Sequence, residues 1–172
     1  RVLVVGAGQM GSGIAQVAAA SGLNVIMNDI KPAFVERGLA AIDKILARSV
    51  EKGKLSAEEK AALLARIHTS VTLEDMAEAD FIVEAATENE NLKFEIFRKL
   101  DQIAKQEAIL ASNTSSISIT RIAKETKRPG KVIGMHFMNP VPVMKLVEII
   151  RGLATTDDTF EVAQGVCREM GK

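Results

Sequence analysis

Three glycines and one aspartate pose the first chemical question. Gly6, Gly8 and Gly11 stand in the string GAGQMG, directly behind the apolar run Val2–Val5 and ahead of a segment of small residues. Glycines at a strand-to-helix corner serve a backbone that something must approach closely. Gly6 permits the tight turn, Gly8 lets a pyrophosphate come up to the chain, and Gly11 lets the helix lie close on the strand. The helix N-terminus at this corner, with Ala7, Gln9 and Met10 as further cofactor-binding candidates, then offers free N–H groups and the positive end of a helix dipole to phosphates. Asp29 closes the next apolar run, eighteen residues after Gly11. A carboxylate there accepts both hydroxyls of an adenosine ribose and repels a 2′-phosphate, which favours NAD over NADP. Lys31 is near enough to soften that preference. A flavin dinucleotide uses the same fingerprint and is the competing cofactor at this point.

The second half of the chain places polar residues directly behind apolar runs at three points: EAATEN (Glu84–Asn89), ASNTSS (Ala111–Ser116) and HFMNP (His136–Pro140). Twelve residues past His136, Glu148 interrupts the apolar string KLVEII. An acid in such a run is costly to bury without a partner, and His136 is the economical one. A carboxylate on one imidazole nitrogen fixes the tautomer and stabilises the cation formed on proton uptake. The other nitrogen is then free to take a proton from a substrate hydroxyl, which is what alcohol oxidation by hydride transfer requires. On these two residues alone, a satisfied core histidine beside an exposed edge glutamate is an equal reading.

The elements that must hold these residues read as strands alternating with helices. Strands are expected at Val2–Val5, Asn24–Asp29, His68–Val71, Phe81–Ala85, Ala108–Ala111, Val132–Phe137 and Lys145–Ile150. Helices are expected at Gln9–Ser21, from Pro32 to Gly53, from the capping box Ser56–Glu59 to about Ile67, at Thr72–Ala79, Leu92–Lys105 and Ile117–Ala123, and over the final residues to Gly171. The strands are continuously apolar, the pattern of a parallel sheet covered on both faces. The expectation is an α/β, Rossmann-type doubly wound, mostly parallel sheet, with a helical-pair excursion after the second strand and residues 1–172 as one NAD-binding domain.

Composition narrows the partners. Lys plus Arg and Asp plus Glu both number 22, so no global field favours nucleic acid or an anionic membrane. The apolar runs are too short to span a bilayer. The single cysteine, Cys167, excludes an internal disulfide and suits the cytoplasm or an organelle matrix. No metal is implied. Arg1 already lies in a strand pattern and the last helix stops at Gly171, which reads as a domain cut from a longer protein. On the first long helix, Lys44, Arg48 and Lys52 recur at steps of four. Such a stripe is either a solvated face or a place to meet phosphates.

GAGQMGSGIAQ, SNTSS and HFMNPVPVMKLVEIIRG together resemble the L-3-hydroxyacyl-CoA dehydrogenases, especially their 3-hydroxybutyryl-CoA branch, over essentially the whole chain. The resemblance implies the family's NAD-binding domain, an acyl-CoA substrate and hydride transfer at C3. It makes His136 the catalytic histidine and Glu148 its acidic partner. Ser115 becomes the serine near substrate oxygen and nicotinamide, and Asn139 the asparagine beside the catalytic histidine. Glu88 and Lys93 become cofactor contacts, with Asn113 and Ser115 beside them, and Asp29 the ribose-binding acid. In that family the helical excursion contacts coenzyme A, which would let a basic stripe such as Lys44, Arg48 and Lys52 meet its phosphates, although the family's contact positions do not coincide with these three. It also implies a helical C-terminal domain that is not in this chain, through which the parent protein forms a homo-oligomer, so these 172 residues alone are expected to be weakly active. Taken singly, Asn113 and Ser115 also suit loop hydrogen bonding, Glu88 a helix N-terminus, and Lys93 a solvated helix face. A related dehydrogenase of a free hydroxy or sugar acid, and a non-catalytic NAD-binding module, are the rival functions.

Overall fold

The computed structural model describes residues 1–172. Seven strands, β1 (Val2–Val5), β2 (Val25–Asn28), β3 (Ile67–Ser70), β4 (Phe81–Glu84), β5 (Ile109–Ser112), β6 (Val132–Phe137) and β7 (Val147–Arg151), form one sheet in the order 3-2-1-4-5-6-7. β1 to β6 are parallel, and β7 returns antiparallel beside β6. Every residue of β1, β4 and β5 is buried, as continuously apolar central strands must be when both faces are covered. The outermost strands β3 and β7 are partly exposed.

Helices cover both faces. α1 (Gln9–Ala20), α2 (Pro32–Glu51), α3 (Ala57–Ala65) and α6 (Asp157–Glu169) bury Ile14, Ile42, Leu63 and Ala163 in a core on one side. α4 (Glu90–Ile103) and α5 (Ile119–Ala123) bury Phe97, Leu100 and Ile122 in a second core on the other. The strand order reverses between β1 and β4, and such a switch point opens a crevice at the carboxyl ends of the strands.

The expected architecture is present, with local shifts. α4 starts at Glu90 rather than Leu92, because the Asn89 side chain accepts from the Leu92 amide and caps the helix early. The 72–79 stretch is a 3-10 helix, Leu73–Glu78, capped by Thr72. The last helix begins at Asp157 behind a Thr156 cap, ahead of the apolar pattern that announces it. The last strand runs Val147–Arg151, not Lys145–Ile150. Lys52, third in the basic stripe, lies just past the end of α2.

Backbone packing at the corner is tight enough to test. A Cβ on Gly11 would lie 1.8 Å from the Gly6 carbonyl oxygen, whereas one on Gly165, exposed in α6, meets nothing within 4 Å. Gly11→Ala should destabilise the protein by roughly 1–3 kcal/mol through overpacking. Gly165→Ala should stabilise it by about 0.5–1 kcal/mol, because Ala is the better helix former. Urea denaturation of both variants checks the pair. Equal effects would show that Gly11 is not packed as described.

Candidate functional site

All parallel strands end at one edge, and the chemistry-bearing side chains gather there. Behind β1, Gly6 adopts φ +106°, and a side chain there would strike the Ala85 carbonyl at 2.6 Å. Gly8 has nothing within 4 Å of a would-be Cβ, so the space over it is open. Gly11 presses on Gly6. The three expected roles therefore separate in space: turn, ligand approach and close packing. No side chain caps α1, whereas Ser56, Asn89 and Thr156 cap α3, α4 and α6. The first amides of α1, around Gln9, Met10 and Gly11, are thus left for an anion.

Asp29 stands behind β2. Its carboxylate accepts from the Ala7 amide at 2.8 Å and from the Ile30 amide at 2.7 Å, which ties the glycine corner to the second strand. A cleft of about 350 Å³ opens beside it, lined by Gly6, Gly8, Asp29, Ile30, Val71 and Ala86. An open glycine, uncapped amides, a carboxylate and an apolar-walled cleft together fit the adenosine diphosphate half of a dinucleotide. A larger hollow, about 970 Å³, opens among Asp101, Arg128, Lys131 and Asp158 at the opposite edge of the sheet. Size does not make it the site. Arg128 there is taken up by the Asp101 carboxylate at 2.7 Å and by the Asp101 and Ala104 carbonyls.

Behind β4 and β5 lies a network that sequence reasoning missed. Glu84, the last residue of β4, has no exposed side-chain surface. Its carboxylate accepts from Lys93 Nζ, the Ala86 amide and the Ser112 hydroxyl, each at 2.7 Å. Lys93, 1% exposed, also donates to the Ala86 carbonyl and lies 3.4 Å from Glu88. It is not a solvated helix lysine. At 1% exposure it is not placed to touch a ligand directly, and its nearest partly exposed neighbour is Glu88. The signals were present: an acid ends the apolar run FIVE, and Lys93 shares the buried face of α4 with Phe97 and Leu100.

Glu88 holds the next loop. Its Oε1 accepts from the Thr114 hydroxyl, the Ser115 amide at 3.1 Å and the Ser116 hydroxyl at 3.1 Å. Partial burial pushes its carboxyl up, but those hydrogen bonds and the Lys93 charge together hold it below the usual glutamate range. Ser115 is exposed, with its hydroxyl outside the protein's own hydrogen bonds. Asn113 accepts from the Phe137 amide at 2.8 Å and so braces β6, as the loop-bonding reading anticipated.

His136 and Glu148 face one another as a register pair of β6 and β7, with Nδ1 2.8 Å from Oε2. The pair is accessible: the histidine side chain is 23% exposed and the glutamate 55%. It is neither a core histidine nor an unpaired edge acid. Asn139, exposed behind β6, accepts from Gln9 Nε2 at 3.2 Å, which links the loop after the histidine to the glycine corner. Lys44 and Arg48 are exposed on α2 and Lys52 just beyond it, and none of them forms an ion pair.

Comparison with known proteins bears on this arrangement. Residues 1–172 match the family described as 3-hydroxyacyl-CoA dehydrogenase, NAD binding domain. A probable 3-hydroxybutyryl-CoA dehydrogenase of Bacillus subtilis is 53% identical over all of this chain and 60% of its own length. The alpha subunit of a fatty acid oxidation complex from Psychrobacter cryohalolentis is 41% identical over 98% of this chain and 24% of its own length. Among solved structures, (S)-3-hydroxybutyryl-CoA dehydrogenase from Ralstonia eutropha superposes with a TM-score of 0.98 at 50% identity, over 99% of this chain and 60% of that one. The chain thus spans about 60% of the length of the curated dehydrogenases it matches.

A carboxylate at Asp29 would repel a 2′-phosphate brought into the adjoining cleft. NADH should bind more tightly than NADPH. Asp29→Asn, which keeps an acceptor for the Ala7 amide but loses the charge, should weaken NADH by roughly tenfold, as hydrogen bonds to a charged group contribute about 1.5 kcal/mol or more. It should also narrow the gap to NADPH. Fluorescence titration of both nucleotides checks this. Equal binding by the unaltered protein would mean that Lys31 outweighs the carboxylate.

Proposed function

The chain belongs to the 3-hydroxyacyl-CoA dehydrogenase family, matching its NAD-binding domain over residues 1–172, and from that footing we propose that the protein interconverts short-chain 3-hydroxyacyl-CoA and 3-oxoacyl-CoA, with 3-hydroxybutyryl-CoA and acetoacetyl-CoA as the working pair. The observation that carries the proposal is the accessible His136–Glu148 pair at the same sheet edge as the glycine corner. With its Nδ1 proton donated to Glu148, His136 presents a lone pair on Nε2. That nitrogen takes the proton of the C3 hydroxyl, and Glu148 stabilises the imidazolium that results. In the opposite direction the imidazolium returns the proton to the carbonyl oxygen. NAD, when bound, supplies the chemistry of accepting or returning the hydride.

The other side chains bind and orient. The α1 amides and Asp29 hold the pyrophosphate and ribose. Ser115, with its hydroxyl free, and Asn139 direct the substrate oxygen toward His136. Glu88 and Lys93 shape the cofactor side of the same edge. The unpaired Lys44, Arg48 and Lys52 suit the phosphates of the coenzyme A portion. The whole protein acts in the cytoplasm or an organelle matrix, as a homo-oligomer. An intact acid–base pair favours turnover over a purely NAD-binding module, and the acyl-CoA names of the relatives favour a thioester over a free hydroxy acid.

Reduction of acetoacetyl-CoA by the full-length protein, followed through NADH consumption, is the direct test, with free acetoacetate as the rival substrate. His136→Ala should lower turnover by roughly 10²–10⁴-fold, the range for loss of a general base, with NADH affinity nearly unchanged. Glu148→Gln should lower it as well, since it keeps the shape and removes the charge that steadies the imidazolium. A folded Glu148→Gln variant with full activity would make the pair structural and defeat the mechanism.

A further inference from the structure

A fully buried carboxylate needs a reason. A buried ion pair is weak evidence for stability, because desolvation offsets its attraction and well-packed apolar side chains often serve as well. Glu84 and Lys93 are both excluded from water, yet they sit at the switch point of the sheet, where a ligand binds, and not in the middle of a core. β4 pairs Glu84 with Val5 on one side and with Ser112 on the other, so this carboxylate lies between the glycine corner and the serine loop.

The bonds run outward from it in both directions. Toward the dinucleotide cleft, Glu84 holds the Ala86 amide while Lys93 holds the Ala86 carbonyl, and Ala86 lines that cleft. Toward the substrate side, Glu84 holds the Ser112 hydroxyl, whose oxygen in turn accepts from the Thr114 amide. The Lys93 ammonium faces two carboxylates, Glu84 at 2.7 Å and Glu88 at 3.4 Å. Glu84 makes the closer contact. Glu88 turns its Oε2 toward the lysine at the longer distance and keeps its Oε1 on the Thr114, Ser115 and Ser116 groups.

We propose that Glu84 is a positioning residue for the reaction: by competing with Glu88 for Lys93 and by bonding Ser112, it holds the 112–116 loop so that Ser115 faces the reacting centre. The proposal rests on the dehydrogenase reading above for its consequence in rate, though not for its consequence in loop order. Removing the Glu84 charge leaves Glu88 as the only anion beside Lys93. Glu88 then moves toward the ammonium and releases the Ser115 amide.

The test is a double-mutant cycle in the full-length protein, combined with hydrogen exchange of the 112–118 segment without substrate. Glu84→Gln should lower kcat for acetoacetyl-CoA reduction by roughly ten- to a hundredfold, within the span of coupling energies between groups of one hydrogen-bond network, with a smaller change in the KM for NADH. Glu84→Gln combined with Ser115→Ala should be no slower than Ser115→Ala alone, because both act through one group. Exchange of the 112–118 amides should quicken in Glu84→Gln. A Glu84 that is only structural would instead lower the denaturation midpoint, multiply with Ser115→Ala, and leave exchange in the loop unchanged; that result overturns the proposal. Should Glu84→Gln not fold, Glu84→Asp, which keeps the charge and withdraws it by one methylene, goes through the same cycle. Absence of acetoacetyl-CoA turnover in the unaltered protein would defeat the dehydrogenase reading, and the exchange measurement would still decide whether Glu84 holds the loop.

Discussion

Where a parallel sheet stops, its backbone amides lose their ladder partners while still lying in a nearly dry interior, and each must find another acceptor. Here the acceptors are side chains from the strand ends and the loops behind them. Asp29 takes the Ala7 amide, Glu84 that of Ala86, Ser112 that of Thr114, Asn113 that of Phe137, and Glu88 that of Ser115. The geometry of the whole edge follows from this. Each loop is pinned by an acceptor near the end of its own or a neighbouring strand, so a ligand meets a surface whose backbone is already fixed. Asp29, Glu88 and Asn113 among these acceptors are also candidates for the proposed site, so the groups that satisfy the sheet edge are the ones a ligand there would meet.

The histidine pair follows from a different feature of the sheet. After β6 the chain turns through the Asn139–Pro142 segment and comes back antiparallel as β7. An antiparallel return sets residues directly opposite one another, and their side chains share one face. The twelve-residue separation of His136 and Glu148 is then a consequence of loop length, with the carboxylate delivered to Nδ1 by register alone. A parallel seventh strand would need a crossover of a dozen or more residues before pairing began, and that spacing would not bring the two side chains together. The last strand thus has to break the parallel rule that the first six obey.

These two features differ in how far they could be read from the residues. The glycine corner was legible because each glycine answers a local demand, and Asp29 because a strand-helix-strand unit has a nearly fixed length. The His136–Glu148 contact was legible from the cost of an unpartnered acid in an apolar run, but the antiparallel return that delivers it was not, since nothing in the string HFMNPVPVMKLVE states that the chain reverses. The helix starts at Glu90 and Asp157 lie ahead of their apolar patterns because a capping side chain, Asn89 or Thr156, decides where a helix begins. The Glu84–Lys93 pair escaped notice for a physical reason. A lysine in an amphipathic helix is ordinarily solvated, and its burial is decided by a carboxylate that arrives from a strand. Two signals pointed to it: the acid that ends the apolar run FIVE, and the helical phase of Lys93, four residues before Phe97.

The exposure of the His136–Glu148 pair bears on how strongly the two groups interact. Attraction between an imidazolium and a carboxylate at this separation is modest near water and grows several-fold as the local dielectric falls. With the glutamate side chain 55% exposed, the surface as it stands is on the weak side of that range. Ile150 lies on the same face of β7 as Glu148 and is exposed, as are Leu146 just before the strand and Leu153 just beyond it. Excluding water from the pair would strengthen it, since such attraction grows as the local dielectric falls. The edge therefore separates two tasks. Register fixes which atoms meet, and the local dielectric sets how strongly they interact.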